Sequence, residues 1–243
     1  MNDISTPKLK EKKFWDKTEH FDGFSYPAFN FMLEHLRNLK FVIEIGCGSG
    51  AWTKHLSKIS DNIIGIDLSL PQIKELQKTL RNTNASGILA DGEFLPIKEG
   101  SVDQIIFTFS LHHISNIERC LEGATIRIKK NGFIIMIEPN GINFLRYFAY
   151  IIGTALHSMN KNKFSTPADK PVNIKKVIKI LNKKGFQCEY WPSSATISTY
   201  NCSARVGVSL LPKVYTQCLK IASRVFPNIF GSANFILIAK KMD

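Results

Sequence analysis

The twelve residues FVIEIGCGSGAW, from Phe41 to Trp52, leave few folds open to this chain. A short apolar run breaks into Gly46, Gly48 and Gly50, and a helical pattern follows at once. A glycine turn between a strand and a helix lets the backbone approach a ligand where a β-carbon would clash. Twenty-one residues after Gly46, Asp67 ends the next apolar run, NIIGIDLS. A carboxylate there can accept both hydroxyl hydrogens of a ribose diol.

The rhythm continues along the chain. FVIEIG, NIIGIDLS, GILAD, VDQIIFTFS, GFIIMIEP, GFQCEYW and ANFILIAKK read as strands. WTKHLSKI, PQIKELQKTL, NIERCLEGATIRI and NIKKVIKILNKK read as helices, the second opening on Pro71, and KKNG reads as a turn. Near-continuous Val, Ile and Phe runs indicate strands buried on both faces, which with intervening helices specify a doubly wound, mostly parallel α/β sheet. A chain of 243 residues suits one domain. Within it, residues 1–39 form an N-terminal helical segment, with helices expected over 8–20 and 25–38, and 40–140 a cofactor-binding half. Residues 141–171 and 192–232 form two insertions capping the substrate side.

GCGSGA also fits the dinucleotide pattern G-x-G-x-x-G/A, so the turn alone does not separate a nicotinamide cofactor from another adenosine-bearing one. Three features tip the balance. Glu44, two residues ahead of Gly46, would repel a pyrophosphate but suits the ammonium of a methionine moiety. Asp91 ends the third strand, placed to accept from an adenine amine with the Gly92 and Glu93 amides nearby. The fourth strand ends in FTFSLHHI, which puts polar groups at the carboxyl edge where such sheets bind ligands. Each acid has a blander role open to it: Glu44 structural, Asp67 at a helix N-terminus, Asp91 in a turn. Gly50 could serve helix packing alone.

With EIGCGSG, GIDLS, ADGEFLPIKEGSVDQIIFTFSLHHI and KKNGFIIMIEP in place, the sequence resembles the class I S-adenosylmethionine-dependent methyltransferases, in particular the type 11 group. The resemblance runs motif by motif over about residues 40–140 and more loosely over the last two strands. It implies a Rossmann-like seven-stranded sheet with a reversed last strand, helices on both faces, and S-adenosyl-L-methionine as cofactor. By the same resemblance Gly46, Cys47 and Gly48 would line the methionine moiety, and Asp67, with Leu68 beside it, would hold the ribose. Asp91, Gly92 and Glu93 would hold adenine, and Phe109 and Ser110 would close the site beneath the sulfonium. The two long insertions depart from the pattern, so the acceptor does not carry over.

A methyl on sulfonium is already activated, and alignment with exclusion of water does much of the work. A hydroxyl or carbon acceptor also needs a base, for which His112 and His113 are the candidates, with Tyr147, Tyr150 and His157 behind them. No metal-ligand spacing is present, and five scattered cysteines without a CxxC pair read as reduced thiols.

The net charge of +12 resides in residues 141–243, which hold fifteen Lys or Arg against three acids. That asymmetry suggests a surface facing something anionic, or simply a solvated basic face. INFLRYFAYIIGTAL, over 142–156, is apolar nearly all round. LLPKVYTQCLKIASRV, over 210–225, sets an apolar stripe against a basic back. The expected acceptor is therefore a small or lipid-linked molecule methylated at oxygen, with peripheral contact to anionic membrane through the basic C-terminal half. Nucleic acid is disfavoured as a partner because no RNA-binding module is visible. An RNA methyltransferase, a non-catalytic cofactor-binding module and a nicotinamide dehydrogenase stand as rivals. The polar start PKLKEKKFWDK and the lack of an eighteen-residue apolar run predict a cytoplasmic protein without a secretory signal or spanning helix.

Overall fold

The computed structural model describes residues 8, 9, 12, 13, 16, 36, 39–81, 83–141, 172–193 and 234–243. Apart from residues 141, 192 and 193, the two expected insertions lie outside them, with the apolar stretch 142–156, the amphipathic stretch 210–225, Tyr147, Tyr150 and His157, as does nearly all of the expected helix over 25–38. Of the expected first helix, residues 8, 9, 12 and 13 are helical. The Asp16 amide donates to Lys12 O at 2.9 Å, a helical i to i−4 bond.

Seven strands form one sheet: β1 (Phe41–Ile45), β2 (Asn62–Asp67), β3 (Ala85–Leu89), β4 (Val102–Thr108), β5 (Ile128–Pro139), β6 (Phe186–Ser193) and β7 (Asn234–Lys241). Among the described residues four helices intervene: α1 (Thr53–Leu56), α2 (Leu70–Thr79), α3 (Ile117–Arg127) and α4 (Ile174–Lys183). The strand order is β3-β2-β1-β4-β5-β7-β6. β1 to β5 run parallel, while β7 is antiparallel to both β5 and β6. From β1 the chain steps outward to β2 and β3, then returns to lay β4 on the other side of β1. The order thus reverses between β1 and β4, and in open sheets of this kind ligands bind at such a switch point, outside the carboxyl ends.

The pleat divides the core. Ile43, Ile45, Ile105 and Phe107 pack on one face with Leu121, Ala124, Val177 and Leu181 of α3 and α4. Val42, Ile106, Ile135 and Ile236 pack on the other with Trp52 and Leu56. Both faces are apolar because both are covered, which is why these strands lack a polar alternation. Each fully buried Ile, Leu or Phe contributes about 1.5–3 kcal/mol. Among the described residues no helix is long and apolar enough to cross a membrane.

Two local expectations differ from the structure. The helix expected over WTKHLSKI stops at Leu56 and gives way to i to i−3 bonds, Lys58 N to His55 O and Ile59 N to Leu56 O. Ser57 Oγ donates to Lys54 O and Ser60 Oγ to Leu56 O, drawing off carbonyls that a continuing helix would use. The expected KKNG turn is taken up in β5, which starts at Ile128 directly after α3. Asn131 lies there at φ 59°, and the register with β4 shifts between Val102 and Gln104. Asparagine tolerates that left-handed conformation better than most residues.

Candidate functional site

The carboxyl ends of β1, β2, β3 and β4 enclose a cavity at the switch point. Gly46, Gly48, Asp67, Leu68, Asp91, Gly92, Glu93, Phe109, Ser110 and His113, all named from the sequence, line it. Glu44, Cys47, Gly50 and His112 do not. Lys8 and Lys12 complete the wall, and no sequence pattern pointed to either.

The glycine turn is shaped by close packing as much as by ligand space. Gly46 has φ 72°, and a β-carbon on it would overlap Ser110 Cβ across the switch point. Its amide and that of Cys47 both donate to Ile66 O, at 2.7 and 3.1 Å, which ties the turn to β2. Gly50, at φ 91°, faces Leu76 of α2, whose Cδ1 a β-carbon would strike. It packs against that helix. The Cys47 thiol is buried, and burial, followed by Asp67 and Glu44, pushes its pKa well above the ordinary thiol value. It is a neutral packing group and no nucleophile.

Asp67 is the best-braced acid of the cavity wall. Oδ2 accepts from Gly48 N at 2.9 Å and Oδ1 from Ser69 N at 2.9 Å. Burial raises its pKa above the usual carboxylate value, against the Ser69, Gly48 and Leu68 amides and the His113 charge, which favour the anion. Each oxygen keeps lone-pair capacity for a further donor. Asp91 sits one strand over, with Oδ1 accepting from Glu93 N at 3.0 Å and Oδ2 from Lys8 Nζ at 2.6 Å. Lys8 also reaches Glu93 Oε1 at 3.0 Å and stands 5.6 Å from the Phe94 ring centre. The two carboxylates raise the Lys8 pKa, although burial opposes them and is the largest single influence. Glu93 Oε1 further accepts from Asn116 N, at the cap of α3. Across the cavity Ser69 Oγ donates to Asp16 Oδ1 at 2.7 Å, so the N-terminal segment meets both walls.

Glu44 is fully buried. Thr53 Oγ1 donates to its Oε2 at 2.6 Å, while Oε1 lacks a partner of ordinary hydrogen-bond geometry among the described residues. Burial pushes its pKa up to about 8, outweighing the Thr53 and Thr108 hydroxyls, and the Asp67 charge adds to the rise. The sequence placed this acid against a ligand ammonium; here its side chain leaves β1 beneath the cavity and meets Thr53 of α1.

The turn after β4 carries the histidines. Phe109 adopts φ 54°, Ser110 Oγ donates to Ile45 O at 2.5 Å, and Leu111–His113 make one 3₁₀ turn. His113 faces the cavity; His112 is buried, its ring centre 3.9 Å from that of His113. Beneath them lies Glu138, which the sequence reading passed over. It has no exposure, accepts from Ser110 N and Leu111 N, and lies with Oε2 2.7 Å from His112 Nδ1. The signal that could have found it is the one used for Asp67: an acid closing a buried apolar strand.

The residues fit an adenosyl amino-acid cofactor. Ile45, Ile66, Leu68, Ala90, Phe109 and Ile114 give the cavity apolar walls for an adenine ring. Asp67 and Asp91 would accept from the ribose diol and the adenine amine. A pyrophosphate has no comparable place, because the helix after the glycine turn has four residues.

Sheet order, reversed seventh strand and acid-tipped β2 together define the class I, S-adenosylmethionine-dependent methyltransferase fold. Residues 43–136 match the model of a methyltransferase-domain family, and the cavity residues suit S-adenosyl-L-methionine as cofactor. An uncharacterized protein of Methanocaldococcus jannaschii is 33% identical over 141 residues, covering 55% of this chain and 53% of that protein. The mitochondrial arginine-hydroxylase NDUFAF5 of Mus musculus is 31% identical over 100 residues, covering 41% of this chain and 29% of its own length. The chain therefore spans about half or less of these curated relatives. Among solved structures, geranyl diphosphate C-methyltransferase from Streptomyces coelicolor superposes with a TM-score of 0.73 at 12% identity, with 100% of both chains covered.

Proposed function

We propose that the protein transfers the methyl group of S-adenosylmethionine to a small-molecule or lipid-linked acceptor, at oxygen. One observation carries the reading: Asp67, braced by the Gly48 and Ser69 amides, shares a cavity with Asp91, Phe109, Ser110 and His113 at the switch point. The cofactor supplies an electrophilic methyl on a sulfonium. The chain's own residues hold the donor (Gly46, Gly48, Asp67, Asp91), close the cavity from the β4 side (Phe109, Ser110) and receive the acceptor's proton. For that last role the two histidines stand at the end of β4, one in the wall and one behind it. A hydroxyl acceptor needs such a base, so the histidines suit oxygen chemistry.

The acceptor class rests on the apolar stretch 142–156 and the amphipathic stretch 210–225, read as a greasy, partly basic cap within a single domain. Geranyl diphosphate, the acceptor named for the Streptomyces enzyme, pairs an apolar chain with phosphates and belongs to the same chemical class. Exposed Lys175, Lys179 and Lys183 on α4 support peripheral contact between a cytoplasmic protein and anionic lipid.

The test is a labelled-methyl transfer assay on fractionated extract, with lipid, aqueous and RNA fractions counted separately. Label in the organic phase is expected. Label confined to RNA, or S-adenosylmethionine binding without label in any fraction, would replace this reading with an RNA methyltransferase or a binding module. Co-sedimentation with anionic liposomes at low salt tests the membrane contact, and its absence removes that part.

A further inference from the structure

We propose that Glu138 is a positioning residue of the methyl-transfer site, holding His112 in the Nδ1–H tautomer and the turn after β4 against the cavity. The proposal builds on the reading above only in taking this cavity as the reaction site. Burying a carboxylate is costly unless donors surround it. Around Glu138 three converge: Ser110 N at 2.8 Å and Leu111 N at 2.7 Å on Oε1, and His112 Nδ1 at 2.7 Å on Oε2. Two of them are backbone amides, which only donate. An ionised carboxylate only accepts, so the hydrogen between Oε2 and the ring belongs to Nδ1. In the neutral imidazole the basic lone pair is then on Nε2.

A device for pinning the backbone would end at Oε1. The second oxygen does something else: it fixes the protonation of a ring lying 3.9 Å from His113, which faces the cavity. One carboxylate thus couples the path of Phe109 and Ser110 to the chemical state of the histidine beside them. A partner that orients one ring nitrogen of a histidine determines what the other nitrogen can do.

Glutamine at this position makes the test sharp. In Glu138→Gln the carbonyl oxygen can keep both amides, but the amide NH2 then faces Nδ1 as a donor and forces hydrogen onto Nε2. Nitrogen-15 histidine spectra of the ligand-free protein, at a pH where the ring is neutral, read this directly. The His112 signals are assigned by their loss in His112→Gln. Nδ1–H is expected in the unaltered chain and Nε2–H in Glu138→Gln. Methyl transfer should fall about 100-fold in kcat, with S-adenosylhomocysteine affinity held within a few-fold.

An Nε2–H ring in the unaltered chain overturns the proposal, and this measurement needs no variant to fold. An unchanged tautomer in a folded Glu138→Gln overturns it too, as does a flipped tautomer with full kcat. If no acceptor is ever methylated while the tautomers behave as stated, the proposed function fails and the assignment of Glu138 to His112 stands.

Discussion

Replacing Glu44 by glutamine should flatten part of the protein's pH–stability curve. The carboxyl is enclosed by β1, Thr53 and Thr108, and burial raises its pKa from 4.5 to about 8. An acid whose value is higher in the folded state stabilises the fold fully below the unfolded value, and that contribution is lost as pH rises towards the folded one. At about 1.4 kcal/mol for each pH unit, the window from 4.5 to about 8 corresponds to about 5 kcal/mol. Glutamine occupies the same volume and accepts from Thr53 Oγ1, but has no proton to lose. Its amide NH2 still needs an acceptor, and about 1–3 kcal/mol is lost at all pH values if the Thr108 hydroxyl does not supply one. Glu44→Gln should therefore match or trail the unaltered protein in acid and overtake it in alkali.

Urea unfolding followed by tryptophan fluorescence, repeated from about pH 4.5 to about pH 9, isolates this as a difference curve. Every other titrating group cancels, so the difference should climb by about 5 kcal/mol across the window and then level off. Parallel curves would show that Glu44 ionises at its ordinary value, and the reasoning from burial would be wrong.

Gly46→Ala forces a left-handed side chain, at about 1–2 kcal/mol, and drives its β-carbon into Ser110. Thermal denaturation should show a clear fall in Tm, and an unchanged Tm would contradict the close approach of β1 to the β4 turn. Asp67→Asn leaves one acceptor oxygen for two backbone amides and a ribose diol, so S-adenosylhomocysteine affinity by calorimetry should drop about 10- to 100-fold. Calorimetry with a nicotinamide dinucleotide on the unaltered protein should show no binding; tight binding would revive the dehydrogenase reading. Lys8→Ala removes a partly exposed ion pair with Asp91 and Glu93, so stability should change by less than about 1 kcal/mol, and the change should shrink with added salt.

The sheet was legible because its signals are local. Val, Ile and Phe runs mark strands buried on both faces, and a strand, a glycine turn and a closing acid mark the switch point before any contact is known. What escaped the sequence depends on pairing across distance. Lys8 meets Asp91 from 83 positions away, and Glu138 meets His112 from 26. No periodicity announces either contact. The depth of a carboxyl is equally hidden. Glu44 and Asp67 both sit at the ends of parallel strands, but Asp67 points along the edge towards the cavity while Glu44, on a pleat facing α1, points under it.

Glu138, Asp67, Asp91 and Glu44 can be ranked by their surroundings at this edge. Glu138 receives two amides and an imidazole, Asp67 two amides, and Asp91 an amide and the Lys8 ammonium. Glu44 receives one hydroxyl of good geometry. Charge is tolerable in a protein interior in proportion to the donors that surround it. A ligand that brings new donors can therefore act on Asp67 and Asp91, which line the cavity, but not on Glu138, whose donors all come from the chain and which lies outside the lining. Glu44 has neither enough donors of its own nor a face on the cavity. Burial holds its carboxyl pKa up at about 8, and its titration reports the interior of the sheet rather than the binding of a cofactor.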